Sequence, residues 1–328
     1  MNDLAMHGHD LFGTPVRPGS KLYSRFIVPP FSILDATSGD WKDRKRLWMA
    51  VGLKSEAGRS AKAYQINDWL DKKDLAGAPA NSDGTSIFDP VLCECCYRWF
   101  CPPGGQIVDP FAGGSVRGIV ASACGRSYWG CDLRQEQIEA NREQGKDILG
   151  NPPDWFLEGT RPEWVCGDSA KELLNAPAAD LIFSCPPYGN LETYSDDPRD
   201  ISGMDSQGFR RAYRDIIGKV CDKLKQDRFA IFVVGDYRNK NSGLLENLVG
   251  GTIACFKSCG LDLYNEVILS TAAASAAIRA TKQFDASLKF TKVHQNMLVF
   301  VKGSWKEARK SIGKLYEGDK SADDGESE

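Results

Sequence analysis

Five consecutive residues, Ser184-Cys185-Pro186-Pro187-Tyr188, carry the densest chemistry in the chain. Neither proline has a backbone N–H, so the turn offers carbonyl acceptors with few competing donors, and two φ angles are fixed. A small hydroxyl, a thiol and a phenol ring stand on that stiff corner. Such a corner can grip a flat heterocycle bearing an amino group, with carbonyl, Ser184 and Cys185 atoms accepting from the amine and Tyr188 stacking on the ring. A Pro-Pro loop that merely turns the chain would look the same locally, so the upstream residues decide.

Three acids and a glycine-rich turn lie upstream. Asp109-Pro110-Phe111-Ala112-Gly113-Gly114-Ser115 ends an apolar run and opens a helical one, and its glycines let backbone approach a ligand closely. The spacing is not G-x-G-x-x-G, which disfavours a dinucleotide pyrophosphate. Asp132 closes the next apolar run, where an acid typically accepts from ribose hydroxyls. Asp168 closes the one after and is placed to accept from an adenine amino group. Each alone reads equally well as a helix N-cap. Together they describe a nucleoside-like ligand without phosphates.

The elements that must position these residues follow from the hydrophobic pattern. Leu181-Ile182-Phe183 suits a strand buried on both faces of a parallel sheet, and Pro186-Pro187 stops it. Short apolar runs at 106–109, 128–132, 163–168, 180–185 and 228–236 alternate with helical stretches, including Phe88–Phe100 and Val116–Cys124. That alternation predicts an α/β, doubly wound, mostly parallel sheet, with strand ends carrying the ligand. Runs at 264–269 and 297–301 are expected to pair as an antiparallel edge, giving seven strands.

Outside this block, residues 1–20 have no period and read as a loose terminus. Residues 21–85 read as an accessory segment: a short strand over Tyr23–Phe31, stopped by Pro29-Pro30, then a helix over Trp41–Trp48 with both tryptophans on one face. The basic residues Lys42 to Arg46 could meet DNA phosphates or simply form a solvated face. The unit carrying the chemistry is placed at 86–305, and the charged tail at 306–328 is expected to lack fixed structure.

The totals exclude several classes. The chain has 328 residues, a formal net charge of −3, and 42% hydrophobic against 26% charged residues, which fits soluble globular material. No run is long and apolar enough for a membrane span, and no signal-peptide pattern opens the chain, so a cytoplasmic location is expected. Eleven cysteines, an odd number, read as reduced. Cys93, Cys95, Cys96 and Cys101 cluster, but their spacing is not a ligand-pair pattern and the chain holds 3 histidines, so no metal site is expected.

These motifs resemble those of DNA amino-methyltransferases that use S-adenosylmethionine, the adenine-N6 and cytosine-N4 family. Asp109 to Ser115 is similar to that family's Asp-Pro-Phe-x-Gly-Ser-Gly cofactor loop, Phe88 to Gly104 to the helix leading into it, and Ser184 to Tyr188 to its (Asp/Asn/Ser)-Pro-Pro-(Tyr/Phe/Trp) corner. The resemblance covers residues 88–302. It implies a Rossmann-like methyltransferase fold, S-adenosylmethionine as cofactor, and double-stranded DNA with a flipped target base as partner. Carried over position by position, it implies cofactor contacts at Phe88, Asp109, Phe111, Ala112, Gly113, Gly114, Ser115, Asp132, Leu133, Asp168 and Ser169, and a catalytic role for Ser184 to Tyr188. The amino-terminal segment is also similar to that of phage-encoded modification methylases, which implies a bacterial cell or a phage-infected host.

Two departures bear on mechanism. Gly114-Ser115 reverses the family's Ser-Gly order, and Cys185 stands immediately before Pro-Pro, where Asp, Asn or Ser is expected. A thiol is a poor acceptor, so the amine would rely on the Cys185 and Pro186 carbonyls or on Ser184. Alternatively Cys185 is a thiolate that adds to a cytosine ring for methylation at carbon. An RNA or protein methyltransferase and an inactive DNA-binding module remain the competing readings. In the amino-methylation reading the amine attacks the activated methyl in line, and no metal is required. DNA contact is expected at residues 20–80, 189–208 or 271–295, with Arg279, Lys282, Lys289 and Lys292 as the preferred phosphate ligands.

Overall fold

A computed structural model describes residues 21–54, 88–189, 194–239, 242–271, 275–313 and 315. Expectations for residues 1–20, 55–87 and the tail beyond 315 lie outside the described residues. After helix α1 (Lys21–Phe26) come β1 (Ile33–Asp35) and α2 (Gly39–Ala50). The central block is α3 (Pro90–Phe100), β2 (Gln106–Asp109), α4 (Val116–Ala123), β3 (Ser127–Asp132), α5 (Gln135–Gly150), β4 (Glu163–Cys166), α6 (Ser169–Glu172) and β5 (Ala179–Ser184). It is followed by α7 (Ser206–Lys223), β6 (Leu224–Val234), the small hairpin β7 (Tyr237–Arg238) and β8 (Leu245–Glu246), and α8 (Leu248–Ser258). The chain closes with β9 (Asp262–Ser270), α9 (Ser275–Ser287), β10 (His294–Lys302) and α10 (Trp305–Ile312).

Eight strands, not seven, form the main sheet, in the order β1-β9-β10-β6-β5-β2-β3-β4. Every neighbouring pair is parallel except the two that β10 makes with β6 and β9. The runs expected to pair antiparallel do so, but the outermost place beyond β9 is taken by β1. The sequence around Ile33–Asp35 is too short to show a period, so nothing local marks it as a strand. It is held by parallel pairing with β9, Leu34 opposite Leu269, and Leu34 is buried. Tyr23–Phe31, expected as a strand, is helical up to Phe26, where Trp99 Nε1 donates to the last carbonyl at 3.2 Å.

Both faces of the central strands β2, β5 and β10 are covered, which is why they read as unbroken apolar runs, whereas β9 is exposed over Asp262–Glu266. In β5, Leu181 and Phe183 enter one core with α2, α3, α4 and α10, while Ile182 enters the other with α7 and α8. Asp180 anchors the start of β5: its carboxylate accepts from the Gln106 amide at 3.0 Å, Lys225 Nζ at 2.8 Å and Arg228 Nε at 3.1 Å. That pins the register of β2, β5 and β6, and with it the position of everything after Ser184.

Residues 21–54 pack into the first core. Trp41 and Trp48 are buried, and both indoles donate to acids at or near the start of α3, Trp41 to Asp89 at 3.2 Å and Trp48 to Glu94 at 2.8 Å. Glu94 is fully buried, accepts from Arg44 Nε at 2.8 Å and is ion-paired with Arg98, whose Nε lies 3.2 Å away. The boundary expected between residues 305 and 306 falls inside α10, whose Ala308 and Ile312 are buried against the same core. The clustered cysteines Cys93, Cys95, Cys96 and Cys101 are buried among apolar side chains, and burial pushes the Cys101 thiol up to about 12.

Candidate active site

The order of strands reverses between β2 and β5, so a crevice opens at the carboxyl ends of the strands around that point. A cavity of about 460 Å³ lies there. Its wall includes Phe111, Gly113 and Gly114 after β2, Asp132 and Leu133 after β3, and Asp168 and Ser169 after β4. Cys185, Pro186, Pro187 and Tyr188 after β5 line it too, as does Phe88 from the turn before α3. Five neighbouring strand and helix ends therefore deliver most of the residues that the sequence singles out to one place.

Four of the expected contact residues do not line the cavity. Asp109 is fully buried; its carboxylate accepts from Arg117 Nε at 2.7 Å, the Tyr128 hydroxyl at 2.8 Å, the Ser184 hydroxyl at 2.5 Å and the Phe111 amide at 3.0 Å. Arg117 in turn donates to the carbonyls of Phe111 and Ala112. Burial opposes the charge on Arg117, but Asp109 outweighs it and raises its pKa further. The pair is an internal brace that sets the shape of the glycine turn, and Ser184 belongs to that brace. Ala112 donates its amide to Cys131 O at 2.9 Å, and Ser115 donates its hydroxyl to Gln144 Oε1 at 2.5 Å. The strand-end pattern does not distinguish such braces from ligands, because both call for a small polar or acidic residue.

The turn itself is open. Gly113 has φ +52°, a conformation that side chains resist, and its amide donates to Asp132 Oδ2 at 3.1 Å. A Cβ built on Gly114 would meet nothing within 4 Å, so the backbone faces empty space there. Asp132 accepts the Arg134 amide through its other oxygen at 2.9 Å. Burial raises its carboxyl above the ordinary range, with Arg134 acting in the opposite sense. Arg134 Nε also lies 3.6 Å from Oδ1 as an ion pair, so Oδ2, beside the Gly113 amide, is the better placed to take an incoming hydroxyl on its second lone pair. Asp168 caps α6 by accepting from the Ala170 amide at 3.0 Å, and Ser169 donates to Pro110 O at 2.6 Å, tying the β4 end to the β2 turn.

At the corner, Tyr188 is held from two sides. Gln295 Nε2, on β10, donates to the phenol oxygen at 2.7 Å, and the same oxygen lies 3.5 Å from Cys185 Sγ. Burial, then Cys185, push the phenol pKa well up, so it stays protonated. The ring rests against Gly235, where a Cβ would come within 3.3 Å. Beyond it Gly189 adopts φ +56°, and a Cβ there would strike the Tyr237 ring.

Sequence reasoning missed Gln295, Arg117 and the amino-terminal contribution. Ala36, Lys45 and Lys54 line the cavity from residues 21–54, and Lys45 Nζ bonds Asp89 at 3.0 Å. A polar residue in a strand gives no signal of a partner in another element, whereas Asp89-Pro90 does announce an N-cap. The phosphate ligands proposed at Lys282, Lys289 and Lys292 lie on or after α9, outside the cavity wall; the side chain of Arg279 lies outside what the structure describes. Among the described residues no group of three or more His, Cys, Asp or Glu side chains could hold a metal ion, and no helix is long and apolar enough to cross a membrane.

No family model and no curated protein matches the chain. Solved structures do. A TrmN protein from Thermus thermophilus aligns at 16% identity and a TM-score of 0.42, over 66% of this chain and 49% of its own. A TehB-like SAM-dependent methyltransferase from Corynebacterium glutamicum aligns at 18% and 0.40, over 67% and 91%. Magnesium protoporphyrin IX methyltransferase from Synechocystis, with bound SAM, aligns at 11% and 0.39, over 62% and 71%. This chain thus spans about half the length of the Thermus protein.

Proposed function

We propose that the protein transfers a methyl group from S-adenosylmethionine to the exocyclic amino group of adenine or cytosine in DNA. The observation that carries this reading is the shared cavity: the open glycine turn, Asp132, Asp168 and the Cys185–Tyr188 corner all face one space. Its volume of about 460 Å³ falls within the ~300–1,000 Å³ usual for small-ligand pockets.

The residues fit the cofactor by chemistry. Asp132 holds ribose hydroxyls on its remaining lone pairs, Asp168 accepts from the adenine amine, and the space over Gly114 admits the amino-acid portion against backbone. When bound, S-adenosylmethionine supplies an activated methyl carbon. The corner holds the acceptor: Tyr188 stacks on the extruded base, and the Cys185 and Pro186 carbonyls accept from its amine. Ser184 has no part in that step, because it is fully buried and does not line the cavity, its hydroxyl donating to Asp109 behind the corner. Lys282, Lys289 and Lys292 then meet DNA phosphates. Carbon methylation through Cys185 is the second reading, favoured by one observation, that Cys185 also lines the cavity.

The test is to incubate the protein with labelled S-adenosylmethionine and DNA, digest to nucleosides and identify the methylated base by mass spectrometry. N6-methyladenine or N4-methylcytosine is expected. 5-Methylcytosine would select the second reading. Label found only in RNA or protein, or nowhere despite bound cofactor, would sink both.

A further inference from the structure

Between β9 and β10 the chain leaves the sheet and returns, with Thr271 and Gln295 at the base of the excursion both lining the cavity. Its base is closed by the Thr271 amide, which donates to Val293 O at 3.0 Å. At the far end of α9 stand two large apolar side chains with little to cover them: Leu288 is 72% exposed and Phe290 is 81% exposed. Phe290 packs edge-to-face with another exposed ring, Phe284, with centroids 5.3 Å apart. Leu288 also has φ +54°, a left-handed conformation at a position just past a helix where glycine is the usual residue. A leucine there gains nothing from burial and bears a conformational cost, and strain of that kind points to use.

The surroundings name the partner. From 282 to 292 the sequence has Lys282, Lys289 and Lys292 against one acid, Asp285. Lysines interleaved with exposed apolar side chains, on an excursion whose base at Thr271 and Gln295 lines the cavity, suit a surface that meets a polyanion of stacked bases. We propose that Leu288 and Phe290 form an apolar wedge that enters the base stack of duplex DNA and holds it open while the target base occupies the cavity. This inference rests on the DNA reading above. It adds a task distinct from gripping the extruded base: filling the gap that the base leaves in the stack.

The test uses Leu288→Gly, Phe290→Ala and the pair combined, on the full chain. The glycine variant suits the left-handed backbone, so its thermal midpoint should not fall. Methyl transfer is measured on two duplexes containing a site that the unaltered protein methylates. One is fully paired, and in the other the base opposite the target is replaced by an abasic site. Since unpairing and unstacking are already provided in the second duplex, the double variant should lose about tenfold or more on the first and change little on the second. Equal losses on both duplexes, or none on either, would overturn the wedge while leaving DNA methylation standing. If the unaltered protein methylates no DNA at all, both proposals fall together.

Discussion

Gln295 on β10 donates its side-chain amide to the hydroxyl of Tyr188, 107 positions away in the chain, at 2.7 Å. The antiparallel strand thereby fixes the ring at the end of the parallel strand β5. Tyr188→Ala should lower methyl transfer by roughly 5- to 150-fold, the equivalent of about 1–3 kcal/mol of lost base stacking. Tyr188→Phe and Gln295→Leu should each cost less, and together no more than the larger of the two. A double-mutant cycle on single-turnover rates should return a coupling of about 0.5–1.5 kcal/mol; strictly additive losses would mean the bond does not orient the ring.

Asp132 makes the cofactor reading measurable through pH. Burial raises its carboxyl above 3.8, so the folded state holds that proton more tightly than the unfolded chain does. Its contribution to folding is therefore fully present below 3.8 and declines as pH rises through the elevated pKa. Cofactor affinity should run the other way, since ribose hydroxyls donate best to the ionised carboxylate. Calorimetric titration from about pH 4 to 7 should show affinity rising in the unaltered protein, and flat, weakened by about 1 kcal/mol, in Asp132→Asn. Parallel curves for the two proteins would remove Asp132 from the ribose.

Glu94 is the electrostatic centre of the contact between α2 and α3. Burial works to raise its pKa, but Arg44 overcomes burial and the net shift is downward. The stabilisation is present above 4.5, the ordinary value, and is lost as pH falls through the lowered pKa. Glu94→Ala leaves Arg44 and the Trp48 N–H without their acceptor and should destabilise the protein by about 3–5 kcal/mol in urea unfolding. A loss under about 0.5 kcal/mol, the level of an ordinary surface substitution, would show that α2 is held by packing alone.

Cys185 separates the two chemistries. If an amine is methylated, Cys185→Ser should keep activity within roughly one order of magnitude, because backbone carbonyls rather than sulfur accept from the amine. If a cytosine ring is attacked, the same change should abolish turnover, and DNA containing 5-fluorocytosine should trap an adduct on the unaltered protein that survives denaturation. The first outcome is expected.

The central sheet was legible because strands buried on both faces must be apolar throughout, and residues such as Leu181, Ile182 and Phe183 have no other use in an alternating pattern. The cavity was legible because three strand ends carry Asp or Gly where most strands end in nothing distinctive. What sequence hides is commitment. Asp109 and Asp132 occupy equivalent strand ends, yet Asp109 is taken up by Arg117, Tyr128 and Ser184, while Asp132 retains capacity toward the cavity. The difference lies in an arginine on the following helix that nothing in the motif requires. Likewise β1 is too short to show a period, and it becomes a strand only because β9 leaves an edge for it.

That edge also sets an order of events during synthesis. Ile33 is the register partner of Ile268, so β1 must wait for a strand synthesised 235 residues later. At about 5–20 residues per second, the delay is on the order of ten to fifty seconds. Helix α2 need not wait as long, since Asp89 and Glu94 follow their α2 partners within about two to ten seconds at the same pace. The amino-terminal segment is therefore fastened at its helix early and at its strand late. Until the second fastening is made, the edge of β9 that β1 will cover has no partner from its own chain and is open to wrong strand pairing.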